Sequence, residues 1–167
     1  MALNVGEFLI FDSSALIDYC RADKAILKLV SLHLAPILIP LPILQEVRQL
    51  TVNELPDLGF KIHDPSLQEL IEAGNSKRPL SLPDMTCFIL ARDRSLPCVT
   101  NDKKLRSLCE ANDIKVFWGL EPLLWLVTKA ALTKQMALTI AKTIQENNPR
   151  FLTEKVLQTF STKLRQI

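Results

Sequence analysis

The run Phe8-Leu9-Ile10-Phe11-Asp12-Ser13-Ser14-Ala15-Leu16-Ile17 decides how this chain folds. Four consecutive apolar residues, Phe8 to Phe11, are the mark of a strand covered on both faces, since a strand with one wet face alternates apolar and polar residues. Asp12, Ser13 and Ser14 follow with the side-chain oxygens that cap a helix N-terminus. The pattern predicts a buried strand and then a helix over about 14–21, with Leu16, Ile17 and Cys20 on one stripe. A second helix carrying Ile26, Leu27, Val30 and Leu34 comes next.

The same grammar recurs downstream. Pro36-Ile37-Leu38-Ile39-Pro40 reads as a short strand with a proline at each end, where a missing N–H costs least. Pro42 opens a helix predicted over 42–50, with Ile43, Leu44, Val47 and Leu50 as its buried face. Phe60-Lys61-Ile62 is a short strand, followed by a helix over about 66–72. Ser81-Leu82-Pro83-Asp84 has the form of a capping box and opens a helix reaching about residue 95. Pro97-Cys98-Val99-Thr100 is strand-like, Asn101-Asp102 caps a helix over 103–112, and Ile114-Lys115-Val116-Phe117 is a further strand. Strands alternating with helices imply an α/β fold, a parallel sheet with right-handed crossovers and helices on both faces. From residue 119 the pattern is helical only, over about 120–132, 133–146 and 153–165. This predicts a sheet domain over 1–118 and a helical C-terminal extension over 119–167. Leu123, Leu124, Trp125, Leu126 and Val127 make that extension too apolar to be a solvated tail, so it should pack on the sheet domain or on a second subunit.

Composition narrows the chemistry. With 48% hydrophobic residues in 167, the chain can bury a sizeable core. Its four glycines, Gly6, Gly59, Gly74 and Gly119, stand too far apart for a phosphate-cradling loop. His33 and His63 cannot form an H-E-x-x-H zinc site, and there is no G-x-S-x-G elbow to activate a serine. Nor does a second aspartate of a D-x-D phosphatase pair follow the first strand. Cys20, Cys87, Cys98 and Cys109 lack C-x-x-C spacing and read as reduced core residues. No leader pattern or membrane span is evident, so a cytoplasmic protein with no membrane partner is expected. The net charge of +2 hides an asymmetry: residues 1–85 carry −4 and residues 86–167 carry +6.

The carboxylates remain. Asp12 ends the first strand, Asp102 follows the strand at 97–100, and Asp84 lies in the first turn of the helix before it. In an open parallel sheet the strand C-termini share one edge, where ligands bind, so these acids can converge. Glu46, bordering the buried stripe of its helix, is a fourth candidate. Any one alone is also what an ordinary cap or surface residue would be. Together, clustered carboxylates repel one another and call for a cation. Oxygen donors without His or Cys suit a hard ion, Mg²⁺ or Mn²⁺.

These stretches, with Ile43-Leu44-Gln45-Glu46-Val47, Leu80-Ser81-Leu82-Pro83-Asp84, Ile89-Leu90-Ala91 and Leu96-Pro97-Cys98-Val99-Thr100-Asn101-Asp102-Lys103-Lys104-Leu105, resemble the successive motifs of PIN-domain ribonucleases, in the same order. The resemblance covers about residues 7–118. It implies a Rossmann-like PIN fold and Mg²⁺- or Mn²⁺-dependent cleavage of RNA, as in VapC-type toxins of toxin–antitoxin pairs, with an antitoxin as a further partner. Carried over, it makes Asp12 and Asp84 the main metal ligands and has Asp102 complete the site. Glu46 would ligate or orient a second metal or the attacking water. Ser14 would support the first aspartate, and Thr100 and Asn101 the rim. The helical tail resembles that of a stand-alone prokaryotic PIN subgroup and is longer than in compact VapC toxins. The segment between Glu46 and Asp84 matches no PIN motif.

Lys103, Lys104, Arg106 and Arg92 lie near the acids in sequence and are candidates for contacting RNA phosphates, single-stranded or structured. Trp118 and Trp125, among apolar helical neighbours, are expected in the core or at a homodimer contact rather than stacked on bases. The alternative to an enzyme is a non-catalytic PIN-fold module that binds nucleic acid or protein.

Overall fold

The computed structural model of the protein describes residues 6–167. Strand β1 (Leu9–Phe11) leads into helices α1 (Ser13–Asp23) and α2 (Ala25–His33). Strand β2 (Ile37–Pro40) runs directly into the short α3 (Leu41–Glu46), and β3 (Phe60–His63) follows a 3₁₀ turn at Val52–Glu54. Then come α4 (Leu67–Asn75), α5 (Leu82–Arg94), β4 (Cys98–Val99), α6 (Lys103–Glu110) and β5 (Val116–Phe117). The chain closes with α7 (Glu121–Thr128), α8 (Lys134–Asn147) and α9 (Glu154–Gln166).

The five strands form one sheet in the order β3-β2-β1-β4-β5, every pair parallel. β1 is central, with Ile10 in register with Leu38 of β2 on one side and Cys98 of β4 on the other. The chain first builds outward through β2 and β3, then returns past β1 and builds the other way. Right-handed crossovers in opposite directions place their helices on opposite faces. α1 and α2 accordingly lie on one face, while α4, α5 and α6 pack together on the other. Leu9, Ile10, Phe11, Ile37 and Ile39 are all fully buried, which is why their runs are unbroken; each such side chain contributes about 1.5–3 kcal/mol on burial.

Two elements differ from the sequence expectation. The helix predicted over 42–50 stops at Glu46, because the backbone leaves helical geometry at Val47 (φ −88°, ψ 84°). Its N–H groups are instead satisfied in tight turns, Arg48 N–H to the Glu46 carbonyl and Leu50 N–H to the Val47 carbonyl. Val47 and Leu50 are still buried, so the apolar spacing reports burial without helix. α4 runs on to Asn75 and is opened by a capping box, Ser66 with Glu69.

The helical extension covers its own sheet domain. Ala137, Ala141 and Ile144 of α8 are buried, and α8 packs along α1 while α7 packs on α2. Trp125 meets Phe117 edge to face, with ring centroids 4.5 Å apart. Two buried polar ties fix the junction. The Tyr19 hydroxyl donates to the Gly119 carbonyl at 2.5 Å, and Asn148 Nδ2 donates to both Asp18 carboxylate oxygens at 3.0 and 3.2 Å.

Candidate active site

The strand order makes β1 and β4 neighbours that are left in opposite directions, so their carboxyl ends form the switch point, the usual ligand position in doubly wound sheets. Asp12 stands at that point, 1% exposed. It is the N-cap of α1: Oδ1 accepts from the Ala15 N–H at 2.8 Å. Oδ2 accepts a short hydrogen bond from the Thr100 hydroxyl, which comes from the end of β4 and is itself fully buried. Burial drives the Asp12 pKa up to about 7 against the opposing pull of these two hydrogen bonds, and the charges of Asp84 and Asp102 push it further in the same direction.

Asp84 sits in the first turn of α5. Ser81 caps that helix through a bond from the Asp84 N–H, at 3.2 Å, and returns its own hydroxyl proton to Asp84 Oδ2 at 2.8 Å. This is half a capping box, since the acid's side chain engages the serine hydroxyl instead of the backbone. Burial again raises the Asp84 pKa, and the charges of Asp102 and Glu46 add to it. Asp102 caps α6, its Oδ1 accepting from the N–H groups of Lys104 and Leu105 at 2.7 and 3.0 Å. The Asp102 N–H donates to Thr100 Oγ1 at 2.9 Å, so one hydroxyl joins the backbone of one acid to the carboxylate of another. Glu46, the last residue of α3, is exposed, and its charge acts on Asp84.

Asp12, Asp84 and Asp102 thus come within electrostatic reach of one another from three separate segments, and Glu46 reaches Asp84 alone among them. Asn101 is buried beside them, and its Oδ1 accepts from the Gly119 N–H at 2.9 Å. Gly119 has no room for a Cβ, which would collide with the Asn101 amide. Ser14 lies in the first turn of α1, but the partners of the Asp12 carboxylate are Ala15 and Thr100, not Ser14.

The candidate cations divide. Lys103 and Lys104 line an open cavity of about 430 Å³ together with Arg78, Leu80 and Ser107. Arg78 is a cation that sequence reasoning misses, although the Lys77-Arg78 pair six residues before Asp84 is the signal that could find it. Arg92 is not a free phosphate contact: its guanidinium is forked onto Glu72 at 2.5 and 3.1 Å, and its Nε bonds Asp93. A basic residue at the end of α5 meets the acids of α4 because those helices pack together. Arg106 turns to Trp118, with its guanidinium carbon 3.5 Å from the ring centroid. Trp118 itself is 42% exposed, contrary to the expectation of a core position; it lies one residue past the end of an edge strand. Cys87, Cys98 and Cys109 are buried and all four cysteines are free thiols.

The donor set is chemically that of a hard cation site, carboxylate oxygens with a hydroxyl behind them and no sulfur or imidazole. Among the described residues, no group of three or more His, Cys, Asp or Glu side chains is assembled closely enough to hold a metal ion. No helix among them is long and apolar enough to cross a membrane. The sheet order and the neighbouring acids define a doubly wound parallel α/β protein with carboxylates at its switch point. No family model and no curated protein matches the chain.

Proposed function

We propose that this protein is a PIN-type ribonuclease that depends on Mg²⁺ or Mn²⁺. The observation that supports the reading is that Asp12, Asp84 and Asp102, from three segments, act on one another's charge near the carboxyl ends of β1 and β4, with Glu46 acting on Asp84. Asp12, Asp84 and Asp102 would have to draw closer together to hold the ion, and Glu46 would orient a second ion or the attacking water. Bound there, the ion supplies Lewis acidity toward a phosphodiester oxygen and a more acidic water. The chain's own contribution is placement. Thr100 fixes the orientation of the Asp12 carboxylate, and Ser81 fixes that of Asp84. Lys103, Lys104 and Arg78, lining the neighbouring cavity, suit an RNA backbone and offset repulsion between phosphates and acids. The narrower role of a toxin held by an antitoxin in the cytoplasm belongs to the same reading.

Replacement of Asp84 by Asn should reduce cleavage of a labelled RNA in Mn²⁺ at least a hundredfold while leaving the melting temperature near that of the parent; undiminished cleavage would sink the assignment. A second reading, a non-catalytic nucleic-acid-binding module, is favoured by the spacing of the acids, which leaves no assembled metal group among the described residues. Melting in a Mn²⁺ titration separates the two. A nuclease centre should be stabilised by roughly 2.7 kcal/mol at a hundred times its dissociation constant, whereas a module lacking the ion would not respond.

A further inference from the structure

Beyond the acids, the carboxyl edge of the sheet ends in an aromatic feature. Trp118 follows β5, the edge strand next to β4, and is held from behind in two ways. Arg106 stacks over the ring at 3.5 Å, and the Trp118 backbone N–H donates to Glu121 Oε2 at 2.5 Å. Arg106 is anchored by Glu110 at 3.3 Å, yet its Nε and Nη2 are buried with no hydrogen-bond partner. Trp118 also forms one wall of a groove against α9, a cavity of about 240 Å³ walled by Leu124, Val156 and Phe160 and rimmed by Lys155 and Lys163. That volume is below the roughly 300–1,000 Å³ of a typical drug-sized pocket and suits one flat ring system.

We propose that Trp118 is the stacking platform for an unpaired base of a single-stranded nucleic acid that runs from the acids across the end of β5, with its phosphates facing Lys155 and Lys163. The proposal rests on the ribonuclease reading and deepens it by naming single-stranded substrate. Charge decides against a second copy of this chain as the occupant. A two-fold contact sets the same patch against itself, so Lys155 and Lys163 would face their own like charges, with Glu121, whose Oε2 already accepts the Trp118 N–H, as the one acid in the lining, whereas a phosphate backbone complements the net positive rim. An exposed aromatic beside cations is the usual platform for unpaired bases.

The test is binding without cleavage, in EDTA. With Trp125→Phe leaving Trp118 as the one indole, titration with a ten-residue oligouridylate and, in a second arm, with oligothymidylate should quench the emission saturably; a difference between arms reports the sugar. Trp118→Ala should weaken binding of a labelled oligomer about ten- to a hundredfold, and Trp118→Phe should retain most of it. Replacing Lys155 and Lys163 by Gln should flatten the salt dependence. Absence of quenching, equal affinity of the Ala and Phe variants, or emission that tracks protein concentration together with a Trp118-dependent dimer would overturn the proposal. Because no divalent ion is present, these outcomes are read separately from the Asp84→Asn cleavage assay, so failure of the platform and failure of the ribonuclease reading are distinguishable.

Discussion

At the scale of single residues, Thr100 carries the most structure per atom. Its hydroxyl donates to Asp12 and accepts from the Asp102 backbone, so the isosteric Thr100→Val change strands a buried carboxylate oxygen and an N–H together. The expected cost is about 1–3 kcal/mol in denaturant unfolding, with a loss of RNA cleavage that Thr100→Ser largely restores. Asp18 makes a pH prediction. Burial pushes its carboxyl up to about 6 despite the Asn148 hydrogen bonds and the Arg21 charge. A folded-state value above the unfolded one means that this group favours folding in acid, and that the benefit is lost as pH rises from about 4 through about 6. Asp18→Asn should therefore stabilise the protein at pH 8 by about 1–2 kcal/mol, allowing for solvent screening, and leave it unchanged below pH 4. A chemical denaturation series across pH reads both limbs. Asp12 and Asp102 are legible in the sequence because each closely follows a buried apolar run. The exposure of Trp118 is not, since its neighbours are as apolar as those of Trp125 and only the ending of an edge strand separates the two.

At the scale of elements, unbroken apolar runs and caps are good guides and lengths are poor ones. β4 and β5 are two residues each, recognisable only because helices flank them. α3 is shorter than its apolar spacing implies, since Val47 and Leu50 are buried by turns with the same spacing that a helix would give. The segment 51–81 holds a reciprocal cap at Ser66 and Glu69 whose signature is as plain as that at Ser81. α8 offers a direct test of the extension's packing. Ala141 is fully buried on the helix that lies along α1, and small residues there let the two helices approach. Ala141→Leu overfills that contact and should cost about 1–3 kcal/mol, lowering the melting temperature, whereas the same change at the exposed Lys142 should not.

At the scale of the whole molecule, acids and cations group in space without following the halves of the sequence, since Asp102 and Arg78 each come from the half of opposite sign. A cavity bears Arg78, Lys103 and Lys104, the two lysines directly following Asp102. Neutralising Lys103 and Lys104 together should weaken RNA binding and reduce the slope of log affinity against log salt by about 0.7 for each phosphate of a single strand that is no longer neutralised, measured by filter binding across a salt series. The alternation of elements is enough to imply a parallel sheet covered on both faces. The particular order, with β1 in the centre, is not readable from it, because that depends on which way each crossover turns.

That central position governs when the protein can become whole. β1 and α1 precede the segments that complete them by a long stretch of chain: Val99 and Thr100 for Asp12, Gly119 for Tyr19 at a separation of 100 residues, Asn148 for Asp18 at 130. Until those segments join, β1 has an unpaired edge, and Asp12 and Asp84 lack their third companion. The meeting of the acids beside β1 is thus a long-range event, complete only once β4 has joined the sheet and brought Asp102 with it.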